Sequence, residues 1–172
     1  MNATESRWVP LAHSGRPGAP ARGRLWVRLT ITDGVLTGMR VEDDDNVEPH
    51  DTLPSAYADV VEALKGWGTS GGKPTDWTAH PGFPPSGTAF QRAVWAALCQ
   101  VPWGESVGYG ELARRVGRPG AARAVGQAVG ANPWAPLVPC HRVLAAGQRL
   151  GGYAQGTRIK SRLLSLEDID YR

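Results

Sequence analysis

The feature that most limits how this chain can fold is the spacing of its helix breakers after residue 85. Pro102 and Gly104, then Arg118-Pro119-Gly120, then Asn132-Pro133 with Pro136 and Pro139, leave only short windows in which a helix can run. Proline removes a backbone donor and biases the residue before it away from helical geometry, and glycine adds backbone entropy, so each cluster ends an element. In the first window, Thr88 to Gln100, residues Phe90, Val94, Ala97, Leu98 and Val101 recur at three- and four-residue spacing, the stripe of a core-facing helix. Cys99 reads there as a small packed residue. Tyr109 to Val116 predicts a second, short helix with Tyr109, Leu112, Ala113 and Val116 on one face, and Ala121 to Gly130 predicts a third. Two short helices joined by a tight turn in a basic region predict a helix-turn-helix.

The third window carries more than a fold signal. At 100° per residue, Ala122, Val125 and Val129 cluster on one side, while Arg123, Gly126, Gln127 and Gly130 gather on the other. Two glycines on an exposed face cost about 1 kcal/mol each against alanine, so something other than helix stability favours them, and close approach of another body is such a reason. The minor groove of B-DNA is about 6 Å wide, against about 10 to 12 Å for a helix with ordinary side chains. A helix stripped to Ala and Gly around one Arg fits a widened minor groove where a normal recognition helix does not.

Ahead of residue 85 the signals are weaker. Residues 1 to 23, with Gly15-Arg16-Pro17-Gly18-Ala19-Pro20, lack periodicity and predict a loose arm. Leu25 to Ile31 alternates as a strand, Asp33-Gly34 signals a turn, and Val35 to Val41 supplies the hairpin partner. Asp43-Asp44-Asp45 lacks the glycine and glutamate spacing of a calcium loop and reads as solvated. Ser55 to Lys65 predicts a helix capped by Ser55 or the residue before it, and residues 66 to 86, rich in Gly, Pro, Trp and Thr, a linker that packs by its aromatics. Beyond Arg142, Val143 to Tyr153 predicts a short hairpin and a glycine-rich wall. A last helix capped by Thr157 then runs to Glu167 with Ile159, Leu163, Leu164 and Leu166 inward. The expectation is an α+β protein: residues 1–85 a small sheet-plus-helix domain, residues 87–172 a helical domain with a winged-helix-like helix-turn-helix.

Charge separates the halves. Residues 86–172 hold 11 Lys and Arg against 5 Asp and Glu, a net of +6, while residues 1–85 hold 8 against 11. The second half is the one suited to a polyanion. Two cysteines do not make a disulfide scaffold, and there is neither a signal-peptide pattern nor an apolar run of about 18 residues, so a soluble cytoplasmic protein without a membrane role is expected.

Cys140 stands beside His141, the one imidazole of the second half, in Pro139-Cys140-His141-Arg142. A free thiol is only about three per cent thiolate at neutral pH, so a nucleophilic cysteine needs a base or a positive environment. Consecutive side chains do not face each other in regular structure. Pro139 instead suggests an irregular junction where a water bridges thiol and imidazole. On residue chemistry alone two readings stand: a histidine-assisted nucleophile, or a buried structural cysteine beside a surface histidine.

Taken with Asn132-Pro133, Gly108-Tyr109-Gly110-Glu111-Leu112-Ala113, Ala121-Ala122-Arg123-Ala124-Val125-Gly126 and Lys160 to Glu167, the motif resembles the O6-alkylguanine-DNA alkyltransferase family over residues 87–167, roughly half the chain. The resemblance implies repair of duplex DNA by irreversible transfer of an alkyl group from O6-alkylguanine, with O4-alkylthymine as a second candidate substrate, to Cys140, once per molecule, by a monomer that uses no cofactor. It implies that Glu167 orients His141, that Asn132 braces the active-site turn, and that Tyr109 and the carbonyls of Cys140 and Val143 contact the base. Arg123 would fill the space of the extruded base while Tyr109 helps turn the nucleotide outward, with Ala121, Ala122, Gly126, Gln127 and Gly130 along the DNA. Tyr109, Trp134, Val143, Tyr153 and Ala154 would line the substrate pocket. Some members bind zinc in the first half; His13, His50 and His80 have no cysteine or tight pair beside them, and no metal is expected. Trp134 is bulkier than the aliphatic residue the pattern implies, Gly108 replaces a Ser or Thr, and Ala154 a glycine or small polar residue, which bears on pocket width. Two rivals remain: a damage-sensing DNA-binding protein without chemistry, and a cysteine hydrolase, which does not normally place its Cys and His adjacent.

Overall fold

The structure, a computed structural model, describes residues 3–11, 25–44, 46–50, 53–67 and 74–172. Three antiparallel strands, β1 (Thr4–Pro10), β2 (Leu25–Thr32) and β3 (Val35–Asp43), form a sheet in that order. Period-two alternation sends Val27, Leu29 and Ile31 of β2 and Met39 and Val41 of β3 to one face, where all are buried. The β2–β3 turn places Asp33 and Gly34 at φ 51° and 78°, the left-handed pair that a tight hairpin needs.

β1 corrects the expected loose arm at 1–23. Val9, 1% exposed, pairs with Val27 and gives the strand its anchor, and one buried residue is too little periodicity to see in a sequence. Residues 12–24 of that arm, Asp45, and residues 68–73 of the expected linker lie outside the described residues.

Helix α1 (Ala58–Lys65) buries Val60 and Leu64 and follows a 3-10 turn at Ser55–Tyr57. No side chain caps either: Pro54, the residue before Ser55, holds the N-cap position of the turn and has no side-chain acceptor to offer, and Ser55 is the first residue inside it. Helix α2 (Ala89–Cys99) opens with a capping box between Thr88 and Gln91 and buries Val94, Trp95, Leu98 and Cys99. Gly87, at φ +101°, lets the chain enter α2 under Trp95, whose ring would lie 2.6 Å from a Cβ there.

Helices α3 (Tyr109–Arg115) and α4 (Ala122–Gly130) form the helix-turn-helix, with Val125, Ala128 and Val129 of α4 buried. The indole of Trp95 donates to the Ala128 carbonyl at 2.8 Å, tying α4 to α2. In place of the hairpin expected over 143–153, β5 (Val143–Leu144) pairs in parallel with β4 (Val107–Gly108), and one antiparallel bridge, Ala145 to Arg149, closes a 3-10 turn. Two apolar residues are too few for a hairpin, and the strand just ahead of α3 offers a nearer partner. Helix α5 (Thr157–Leu166) buries Ile159, Lys160, Leu163 and Leu164. Gly156, at φ 96°, takes its N-cap position and Thr157 is its first helical residue, so Thr157 is not a cap.

The whole is α+β. Its main hydrophobic core is continuous from Val9 through Trp134 to Leu163. Asp43 at the end of β3 pairs with Arg158 (3.2 Å) and Arg162 (3.6 Å) of α5. Among the described residues no helix is long and apolar enough to cross a membrane.

Candidate active site

A single 3-10 turn, Cys140–Arg142, sends three consecutive side chains in three directions. This resolves the geometric objection to an adjacent Cys and His, since at about 120° per residue each side chain meets different neighbours. His141, fully buried, bonds through Nε2 to Glu167 Oε2 at the end of α5. A carboxylate only accepts, so Nε2 carries the hydrogen. His141 Nδ1 is then the acceptor nitrogen, and it has no protein partner among the described residues. The other oxygen, Oε1, accepts from Arg142 Nε at 2.7 Å and from the Gly104 N–H at 3.0 Å. Arg142 also donates to the Val101 carbonyl at 2.7 Å and lies over the Trp103 ring.

The electrostatics follow from this wiring. Burial pushes the Glu167 carboxyl up, but His141, the Arg142 cation and the Gly104 N–H outweigh it and hold the group below its ordinary range. For His141 burial is the largest influence and lowers its basicity despite Glu167, so the ring is neutral at neutral pH. A neutral ring whose Nε2–H is fixed by a carboxylate and whose Nδ1 lone pair is free is a general base.

Cys140, 4% exposed, is the first residue of the same turn. Burial raises its pKa, opposed by the Asn132 amide, the Tyr153 hydroxyl and the Lys160 cation. Asn132 is held in one orientation: Oδ1 accepts from the Trp134 N–H at 3.0 Å, and Nδ2 donates to the Val138 carbonyl at 2.7 Å. The Tyr153 hydroxyl, buried and without a hydrogen-bond partner in the resting geometry, is near enough to respond to the charge of a Cys140 thiolate. Lys160 is wholly inaccessible to solvent and donates to the carbonyls of Val143 (2.6 Å) and Gly152 (3.1 Å), so it ties the two walls of the site together. Burial lowers its pKa to about 8. The thiol is thus protonated at rest, with donors around the sulfur that gain strength only when charge develops on it.

The structure brings Cys140, His141, Glu167, Asn132 and Tyr153 together. Tyr109, half-buried at the start of α3, has its pKa raised by burial and by the charge of Cys140, and its ring lies under Gly126 of α4, where a Cβ would be 3.7 Å away. Arg123, Gln127 and Gly130 are exposed on α4, with Ala121, Ala122 and Gly126 half-buried beside them. A cleft of about 540 Å³ runs between the start of α3 and residues 144–148, with Tyr109 and Ala122 in its wall. Val143 is buried and Ala154 exposed.

Trp134 is the exception and corrects the expected pocket. It is wholly buried on the far side of the turn, with its ring centroid 5.0 Å from that of Phe83 and 5.5 Å from that of His80. A large apolar ring finds more contact in an interior socket than on a pocket wall.

Two residues, Lys160 and Arg142, carry roles that the sequence did not assign. Lys160 and Glu167 stand at i and i+7 with Leu163 and Leu164 between, all on the buried stripe of α5. A lysine on an apolar stripe is the signal that singles it out. Arg142 had only its place in the motif.

A deeply buried thiol, a neutral imidazole held by a carboxylate, and a helix-turn-helix alongside suit the class of DNA-binding proteins that do chemistry at a cysteine. The family model described as "6-O-methylguanine DNA methyltransferase, DNA binding domain" matches residues 89–169. The chain is 45% identical over 143 residues to a methylated-DNA–protein-cysteine methyltransferase of Mycolicibacterium paratuberculosis, covering 81% of this chain and 84% of that one. It is 37% identical over 142 residues to the inducible protein of that name from Bacillus subtilis, covering 83% and 69%. A crystal structure of Mycobacterium tuberculosis OGT in complex with DNA superposes with TM-score 0.64 at 34% identity, covering 94% of this chain and 92% of that one. The chain belongs to the methylated-DNA–protein-cysteine methyltransferase family.

Proposed function

We propose that this protein repairs alkylated DNA by moving an alkyl group from the O6 atom of guanine to the sulfur of Cys140, once per molecule. The observation that carries the reading is the His141 ring, with Nε2–H on Glu167 and Nδ1 unpartnered among the described residues, one residue along the turn from the buried thiol. The Cys140 proton passes to Nδ1 through a water, and the sulfur attacks the alkyl carbon. The S–C bond forms, the C–O6 bond breaks with its electron pair going to the purine, and the purine takes up one proton to become guanine. The developing thiolate is met by the Asn132 amide, the Tyr153 hydroxyl and the Lys160 cation. The thioether has no leaving group, and Cys99 is committed to packing in α2, so no turnover follows.

The reacting carbon lies within the duplex, so the nucleotide must be extruded. The bare outer face of α4 suits entry into the minor groove, with Arg123 filling the gap in the base stack and Tyr109, packed under Gly126, at the passage from helix to thiol. All these groups come from one chain, which supports action as a monomer, and a free thiol nucleophile suits a reducing cytoplasm.

Intact mass after mixing with duplex DNA carrying one O6-methylguanine tests this. The expected result is a gain of one methylene equivalent, mapped to Cys140 and saturating at one per molecule. DNA binding without a mass change would overturn it in favour of a damage sensor.

A further inference from the structure

The turn that carries Cys140 is fastened to the N-terminal half at two points. The Met39 N–H of β3 donates to the Pro133 carbonyl at 2.8 Å, and Met39 forms a parallel bridge with Trp134, so residues 133–134 add a stub to the edge of the sheet. Next along the chain, the Trp134 indole enters a socket of rings: Phe83 at 5.0 Å, His80 at 5.5 Å, Tyr57 at 6.4 Å and Trp77 at 6.5 Å between centroids. The socket is itself fixed. Tyr57 accepts from the Leu36 N–H at 3.0 Å, His80 bonds Asp59 and the Gly82 N–H, and a Cβ on Gly82 would lie 2.4 Å from the Tyr57 ring.

From Trp134 a short chain of bonds leads to the sulfur. Its N–H occupies Asn132 Oδ1, which turns Asn132 Nδ2 toward the Val138 carbonyl and the thiol, and its own carbonyl accepts from the Val138 N–H at 2.9 Å. Val138 in turn accepts from the Cys140 N–H at 2.8 Å. We infer that Trp134 is a positioning residue for alkyl transfer: docked in the socket of the N-terminal half, it sets the Asn132 amide and hence the aim of Cys140, so the N-terminal half is part of the catalytic apparatus without touching DNA or substrate. This deepens the alkyl-transfer reading and rests on it.

Trp134→Ile empties the socket from the active-site side, Phe83→Leu loosens it from the far side, and Trp134→Phe keeps an aromatic ring there. Each is assayed at a temperature where circular dichroism shows it fully folded, for duplex affinity and for the transfer rate constant at saturating O6-methylguanine duplex. A misplacement of about 1 Å costs on the order of a hundredfold in rate, so a fall of roughly tenfold or more is expected for Trp134→Ile and Phe83→Leu, with affinity unchanged and the rate restored in Trp134→Phe. A purely structural role would lower melting temperature and leave the rate constant of the folded variants at the wild-type value, which would overturn the inference. If wild type itself transfers nothing, the alkyl-transfer reading fails. The positioning role is then read from the reaction of Cys140 with a small aromatic disulfide in a Cys99→Ala background: a severalfold change in Trp134→Ile sustains it, and an unchanged rate overturns it.

Discussion

Of the two thiols, only Cys140 is built to lose its proton. Cys99 is buried in α2, where desolvation pushes its pKa up to about 11 and outweighs the backbone N–H groups of Trp77 and Thr78. Cys140 is also raised by burial, but the Asn132 amide, the Tyr153 hydroxyl and the Lys160 cation stand ready for its anion. Cys140→Ser therefore retains duplex affinity and loses all mass gain, and the wild-type adduct maps to one peptide. The Glu167 cluster gives a second prediction at this scale. Both Glu167 and His141 have folded pKa values below their ordinary ones, so the unfolded chain takes up protons first as pH falls. Their contribution to stability is complete above about pH 7 and is lost as pH falls through the ordinary His range near 6.5, then the carboxylate range near 4.3. Glu167→Gln leaves the buried Arg142 guanidinium without its counter-charge, which costs about 3 to 5 kcal/mol, and flattens the acid limb. Urea unfolding of both proteins between pH 4 and about pH 8 measures both effects. The Cys140–His141 pair stood out in the sequence by side-chain type and adjacency, whereas Glu167 and Asn132 were singled out by the family resemblance alone, because neither residue type nor spacing says which loop partner it meets. The place of Trp134 was not legible, because a large ring in a loop does not say which side of the turn it faces.

Helix α4 is where periodicity and function can be read separately. Its buried face follows the 3.6-residue repeat, and its exposed face departs from what helix stability favours. At Gly130 a Cβ would meet nothing within 4 Å. Gly130→Ala thus stabilises the free protein by up to about 1 kcal/mol, seen as a higher melting temperature. If α4 enters a groove, the same methyl weakens duplex affinity, and affinity unchanged would remove Gly130 from the interface. Arg123→Ala slows transfer from duplex DNA much more than transfer from free O6-methylguanine base, since only the duplex requires extrusion; equal losses would refute that role. Long periodic helices such as α2 were legible for the same reason as α4. β1, β4 and β5 were not: β1 offers one buried residue and the others two residues each, and such strands exist only because partners elsewhere accept their hydrogen bonds.

At the scale of the molecule, the contrast in charge between the halves was visible in the sequence, whereas the continuity of their core was not. Trp134, Phe83 and Trp95 carry that core across residue 85, so unfolding by heat is expected as a single transition on which far-ultraviolet circular dichroism and tryptophan fluorescence coincide. The same continuity decides what happens after reaction. The sulfur of Cys140 is enclosed by Asn132, Tyr153 and the Lys160 clamp, and an added methyl must displace packed atoms. Overpacking by one carbon costs about 1 to 3 kcal/mol. In a molecule whose halves unfold together that cost is subtracted from the stability of the whole chain, not from a local loop. Methylated protein, prepared with a slight excess of O6-methylguanine duplex and freed of DNA, melts several degrees below untreated protein as one transition. An unchanged melting temperature would mean that the site has room for its product, and would place the limit on adduct size in the entrance at Tyr109 rather than at the sulfur.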